Sequence, residues 1–201
     1  AEKGSSWSDV SEGDVFDRLG ESCQRVSASL PTGGVLADSR NAYMLRRSAL
    51  GLARVLHAQR RYGLGSSARP RAAELAFGFE EKGSLPALEL RTPTGRRIRL
   101  RGYLDRVDLI ETAGQVLGIV LDYKNAREKQ LDLSRAYYGL ALQLPAYLLV
   151  LGEHGEQLAG SKVQPAAAVY VPLGPRYESV DHPSDLTESQ RRSAGVSKLR
   201  G

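Results

Sequence analysis

Cysteine occurs once in the 201 residues, at Cys23, which excludes an intrachain disulfide and any zinc site built from cysteine alone. Long apolar runs are lacking too, and nothing approaches the roughly 18 consecutive apolar residues of a membrane-spanning helix. Residues 1–11 hold no apolar h-region, so no secretory signal is expected there. The sequence does not begin with methionine, which reads as processing or excision from a larger protein. One cysteine, no signal and no span make a reducing cytoplasm the expected home. Lysine is scarce among the 28 basic residues, at six, and the other 22 are arginine. Net charge is +5 and the pI near 9.4. Arginine binds phosphate through a planar fork, so this balance is compatible with nucleic acid, although GC-rich coding produces it as well. What remains is globular, at 41% hydrophobic and 25% charged, and long enough for one domain of ordinary size.

A helix is expected over Asp14 to Ser29, ended by Pro31-Thr32-Gly33-Gly34. Asp38 or Ser39 reads as the N-cap of a second, longer helix. Along it Leu45, Ala49, Leu52, Val55 and Leu56 recur at helical spacing, and Arg46, Arg47, Arg54, Arg60 and Arg61 form the polar side. Gly63, Gly65 and Pro70 break it, and the mixed stretch around Glu74, Leu75, Phe77 and Phe79 belongs to no evident element. Ala87 to Arg91 reads as a strand and Pro93-Thr94-Gly95 as a turn. Ile98, Leu100 and Leu104 then alternate with Arg97, Arg99, Arg101, Tyr103 and Asp105 in one two-residue period. Val116 to Lys124 is apolar on both faces, as a strand in the middle of a sheet must be. Leu131 to Leu151 is expected as one long helix kinked at Pro145, and Val163 to Leu173 as a last strand. These elements divide the chain into a helical segment (1–66), an α/β core (67–175) and a polar tail (176–201). The run Gly155 to Lys162 has Ser-Lys where a phosphate-binding loop needs Lys-Ser or Lys-Thr, and it precedes a strand, so no motor is expected in this chain.

A four-residue loop over 112–115 sets Glu111 opposite Val116, and in the same register Asp105 opposite Asp122. Two facing carboxylates repel unless something positive lies between them, and a hard divalent cation such as Mg²⁺ fits. Lys124, two residues beyond Asp122, leaves the strand on the same face. The alternative is that both acids are strand-end residues paired with Arg101 or Arg106. Asp122 weighs against it, because it follows Gly118-Ile-Val-Leu121, where a buried charge is costly without a partner or metal. Arg106 and Asp108 fall on the opposite face and read as a structural pair.

Gly102-Tyr-Leu-Asp105-Arg-Val-Asp108, Leu121-Asp122-Tyr123-Lys124 and Gln143-Leu-Pro-Ala-Tyr147, in that order, resemble the RecB-type branch of the PD-(D/E)XK nucleases. Tyr137 to Leu148 further resembles the nuclease domain of the B subunit of AddAB-type helicase–nucleases. The resemblance covers about residues 38–173. It implies a restriction-endonuclease-like α/β core, a mixed central sheet flanked by helices, behind an N-terminal helical segment. It implies metal-dependent DNA hydrolysis with Mg²⁺ or Mn²⁺, exonucleolytic, on single-stranded or end-processed DNA in double-strand-break repair and recombination, with a helicase subunit or domain as partner and no membrane.

The resemblance makes Asp105, Asp122 and Lys124 catalytic. Asp105, Asp122, the Tyr123 carbonyl and Glu74 would be metal ligands, with Glu80 a rival to Glu74. Gln143 and Tyr147, four apart on a helix, would face the DNA together with Arg99 and Arg101; Tyr147 could instead be a core aromatic. The early-helix histidine of the branch has no clear counterpart, His57 standing in a different context. Cys23 alone cannot hold an iron–sulfur cluster, so none is expected. Two other functions stay open: a DNA-binding or scaffold module that kept the fold without catalysis, and a free-standing RecB-like exonuclease.

Overall fold

A computed structural model describes residues 11–29, 39–124 and 132–173. Two helices, α1 (Glu12–Ser29) and α2 (Ser39–Leu64), precede five strands: β1 (Arg69–Phe77), β2 (Leu88–Arg91), β3 (Arg97–Leu100), β4 (Gly102–Thr112) and β5 (Gln115–Lys124). Three helices follow, α3 (Leu133–Tyr137), α4 (Gln143–His154) and α5 (Glu156–Ala159), and then β6 (Val163–Pro172). The expected tail, 176–201, lies outside the described residues.

The main sheet runs β1-β4-β5-β6, antiparallel at its first two contacts and parallel between β5 and β6. It is the mixed, helix-flanked α/β sheet the resemblance implied. The two-sided apolar run of β5 is accounted for by strands on both edges and packing on both faces. A parallel neighbour requires a crossover, and α4 supplies it, lying on β5 and β6. Leu104, Val107, Val120, Leu144, Val150 and Leu151, all fully buried, hold sheet and helix together. Each contributes roughly 1.5–3 kcal/mol of hydrophobic stabilisation. Pro70, which cannot donate to a ladder, sits in edge strand β1 beside a bulge.

Helix α1 begins two residues before Asp14. Ser11 Oγ accepts the Asp14 N–H at 3.1 Å while Asp14 Oδ2 accepts from the Ser11 N–H at 2.9 Å, a reciprocal cap of the first turn. α1 packs on α2, with Phe16 and His57 rings 4.9 Å apart.

Three expectations are corrected. The helix over Leu131 to Leu151 is divided, because Gly139 turns the chain at φ 74° between α3 and α4. Pro145 makes no kink: it is the third residue of α4, in the first turn, where its missing N–H removes no intrahelical bond. The alternation over 97–105 is not one strand. β3 pairs with β2 in a separate hairpin turned at Gly95 (φ 81°), and β4 starts afresh at Gly102 in the main sheet. Period two shows that residues are extended, not which neighbour they join. The stretch around Glu74 to Phe77, which matched no element by pattern, is the end of β1.

Candidate active site

The β4–β5 hairpin has the expected register, from Thr112 opposite Gln115 to Arg106 opposite Leu121. Its loop is two residues, with Gly114 at φ 88°, not four. Continued by one step the register faces Asp105 with Asp122, but the ladder stops short of that pair. The Asp105 carboxylate takes the place of a backbone partner, Oδ2 accepting the Tyr123 N–H at 2.7 Å. The strand ends are thus joined through a side chain, which orients Asp105 toward β5 beside Asp122.

Asp122 is wholly buried. Its Oδ1 accepts from Gln143 Nε2 at 3.0 Å, and Lys124 Nζ stands 2.5 Å from Oδ2. A carboxylate sealed from water is tolerated only with such charged and hydrogen-bonded partners. Burial opposes the Lys124 ammonium, but the hydrogen bond and charge of Asp122, with the charge of Asp105, outweigh it and hold its pKa above the ordinary lysine value. The Lys124 ammonium also lies 5.7 Å from the Tyr170 ring centre of β6.

Gln143, the first residue of α4, donates through the same Nε2 to the Tyr147 hydroxyl at 2.9 Å. The pair does share a face, and that face meets Asp122. The Tyr147 ring is buried, edge-on to Phe77 with centres 6.2 Å apart, so the core-aromatic alternative describes the ring and only its hydroxyl reaches the acids. Burial raises the pKa of that hydroxyl, aided by Asp122 and Asp105 and opposed by the hydrogen bond from Gln143.

Behind the site, on the other face of β5, the Tyr123 hydroxyl meets Gln59 Nε2 at 3.0 Å and Arg106 Nη1 at 3.4 Å. Arg106 grips Asp108 with two 2.6 Å bonds, the structural pair read from the sequence. Gln59 is a residue that sequence reasoning missed. The signal was present: it continues the apolar stripe of Val55 and Leu56 by one turn, and a polar residue on a buried stripe needs a partner.

Glu74 is exposed and has φ 49°, a left-handed backbone that side-chain-bearing residues seldom adopt. Its flanking residues pair with Arg106 and Leu104, so its register position faces Asp105. Glu74, Asp105 and Asp122 therefore occupy one row across β1, β4 and β5. Glu80 is exposed beyond the end of β1. Among the described residues no cluster of three or more His, Cys, Asp or Glu side chains could hold a metal, so a three-acid cage is not assembled. His57 turns to Phe16 instead. Asp105 and Asp122 remain as a hard oxygen pair, which fits a small divalent cation that takes one or two carboxylates and keeps several waters.

Arg99 is exposed and pairs with Glu89 at 3.3 Å. The Arg101 guanidinium lies 5.3 Å from the Phe79 ring centre. Both line an open pocket of about 400 Å³ next to β4.

A family model described as the PD-(D/E)XK nuclease superfamily matches residues 9–198. Among curated proteins, the B subunit of an ATP-dependent helicase/deoxyribonuclease of Geobacillus kaustophilus is 32% identical over 97% of this chain and 16% of its own length. The protein of the same name in Symbiobacterium thermophilum is 34% identical over 90% of the chain and 15% of its own length. That of Moorella thermoacetica is 31% identical over 84% and 14%. The chain thus spans about one sixth of the length of the relatives it matches. No helix among the described residues is long and apolar enough to cross a membrane.

Proposed function

The chain belongs to the PD-(D/E)XK nuclease superfamily, and from that premise we propose that it is the nuclease domain of an AddB-type helicase–nuclease protein, hydrolysing DNA phosphodiesters. The observation that carries this reading is the wholly buried Asp122 carboxylate, held between Gln143 and Lys124 beside an Asp105 anchored on the Tyr123 N–H. A structural sheet has no use for two acids in that arrangement, and a phosphodiesterase does.

In this reading Asp105 and Asp122, with the Tyr123 carbonyl, would hold Mg²⁺ or Mn²⁺, and Glu74, in the same row of the sheet, would be a further ligand. The bound ion would supply Lewis acidity and lower the pKa of a coordinated water. Gln143 holds the Asp122 carboxylate in one orientation, so its second oxygen keeps a fixed direction. Lys124, protonated, stabilises negative charge developing on the scissile phosphate or orients the attacking water. Arg99 and Arg101 bind flanking phosphates.

The substrate is single-stranded DNA from a broken end in double-strand-break repair, degraded exonucleolytically in the cytoplasm. Because the chain carries no phosphate-binding loop, unwinding falls to a helicase subunit or domain, as the relatives' names support. The test is cleavage of labelled single-stranded DNA with Mg²⁺ or Mn²⁺ by this chain and by Asp122→Ala, with metal binding followed by calorimetry. Metal-dependent cleavage abolished by the substitution is the expected result. Absence of both cleavage and metal binding would overturn the reading and leave the non-catalytic DNA-binding module.

A further inference from the structure

At the start of β4, which carries Asp105, the Phe79 and Tyr103 rings stack with centres 4.9 Å apart and planes inclined by 27°. Arg101 lies over Phe79, so cation, ring and ring form one cluster. The backbone is built for it. Gly78 turns at φ 76°, and a Cβ there would meet the Arg101 Cβ at 2.7 Å, so only glycine lets the chain after β1 bring Phe79 against Arg101. The Gly78 N–H is fixed to the Leu85 carbonyl at 2.8 Å and the Phe79 N–H to Ser84 Oγ at 3.3 Å.

A stacked pair of this kind would ordinarily be sealed in a core. Here Tyr103 keeps 43% of its surface in solvent, beside the open pocket lined by Phe79, Arg99 and Arg101. Glu80 also lines the pocket, and the Tyr103 hydroxyl lies 3.4 Å from Glu81, so the polar end of the ring is turned to a carboxylate and its apolar face is what remains to offer. Tyr103 is two residues before Asp105 on β4, so their backbones lie about 7 Å apart along the strand. That is the reach of one nucleotide.

We propose that Tyr103, backed by Phe79, is a stacking platform for the base of the nucleotide flanking the scissile phosphate, with Arg99 and Arg101 on that nucleotide's phosphate. The inference rests on the nucleolytic reading of the neighbouring carboxylates and names its substrate more closely. A base can stack on protein only when it is out of a duplex, so the platform selects single strands over paired DNA. It is indifferent to sequence, because every base has a π-face.

The test is fluorescence anisotropy of labelled single-stranded DNA with the 201-residue chain in chelator, where no cleavage intervenes. Tyr103→Ala should weaken binding roughly tenfold, and up to about a hundredfold, while Tyr103→Phe stays within about twofold of the unsubstituted chain. Duplex binding should not change. On a strand carrying a run of abasic sites, Tyr103→Ala and the unsubstituted chain should bind alike, since there is no base to lose. Arg101→Ala should lower the salt dependence of single-strand binding by about 0.7 in the log–log slope. Unaltered binding by Tyr103→Ala, or an equal loss on intact and abasic strands, would overturn the platform, the second because it marks a general structural defect. Cleavage by the unsubstituted chain is followed in parallel. If stacking holds without cleavage, hydrolysis alone is refuted, and if cleavage holds without stacking, the platform alone is refuted.

Discussion

Removing the Asp108 carboxylate should be among the most damaging single changes away from the catalytic acids. Asp108 takes two 2.6 Å bonds from Arg106, and the Asp108 and Arg106 side chains keep only 2% and 11% of their surface in water. Arg106 Nη1 also reaches Gln59 Oε1 at 2.9 Å and the Tyr123 hydroxyl at 3.4 Å. In Asp108→Ala a guanidinium that cannot deprotonate loses its doubly bonded carboxylate partner in a buried site. Breaking one side of such a pair costs about 3–5 kcal/mol. Set against a total stability of roughly 5–15 kcal/mol, that is a large share. For a chain of this size it corresponds to a fall in Tm of roughly 6–20 °C. Urea titration followed by circular dichroism gives the free energy directly. Replacing both partners, Arg106→Met with Asp108→Leu, should recover most of the loss, because neither charge then has to be desolvated. A loss below about 1 kcal/mol in Asp108→Ala, or a double variant as unstable as the single one, would refute the claim that this pair is a coupled, buried unit.

Three further outcomes are expected. Gly118→Ala places a Cβ 2.5 Å from Leu151 Cδ2 and 2.8 Å from Val163 Cγ1, so overpacking between β5 and α4 should destabilise by about 1–3 kcal/mol in the same urea titration. Glu74→Gly releases a left-handed φ of 49°, which should stabilise the fold by about 0.5–1 kcal/mol after glycine's own entropy cost, while cleavage falls if Glu74 serves the metal; thermal melts and the nuclease assay read the two effects separately. Ser11→Ala removes the cap of α1 at about 1 kcal/mol. The Ser11 hydrogen bonds hold Asp14 below its ordinary pKa of 3.8, so their contribution is present above that value and lost as the pH falls through the depressed one. In Ser11→Ala the Asp14 titration, followed by NMR, should move up toward 3.8.

Elements whose pattern is one-dimensional were legible from the residues alone. Val116 to Lys124 had to be an interior strand because both its faces are apolar, and β5 is interior. Arg106 and Asp108, two apart on a strand, had to share a face, and they do. The hairpin register followed from the short loop between the two strands, and the facing of Asp105 and Asp122 from that register, since a one-residue slip would turn every side chain to the wrong face. Three ordered motifs carried the family and the mixed sheet with it.

Other features exist only through contacts between distant segments. The alternation over 97–105 could not show that Arg97–Leu100 and Gly102–Thr112 join different sheets, because period two is the same in either. Nor could it show that Asp105 would bond the Tyr123 N–H in place of a ladder partner. Gln59 reaches Tyr123 from 64 residues away, and Phe79 meets Tyr103 only because Gly78 turns the chain back. Helical and strand periods are set by contacts between near neighbours and survive in the sequence as spacing. A buried carboxylate's partners come from separate strands and helices and are chosen by desolvation in three dimensions, so Asp122 could announce that it needed partners but not that they would be Gln143 and Lys124 together.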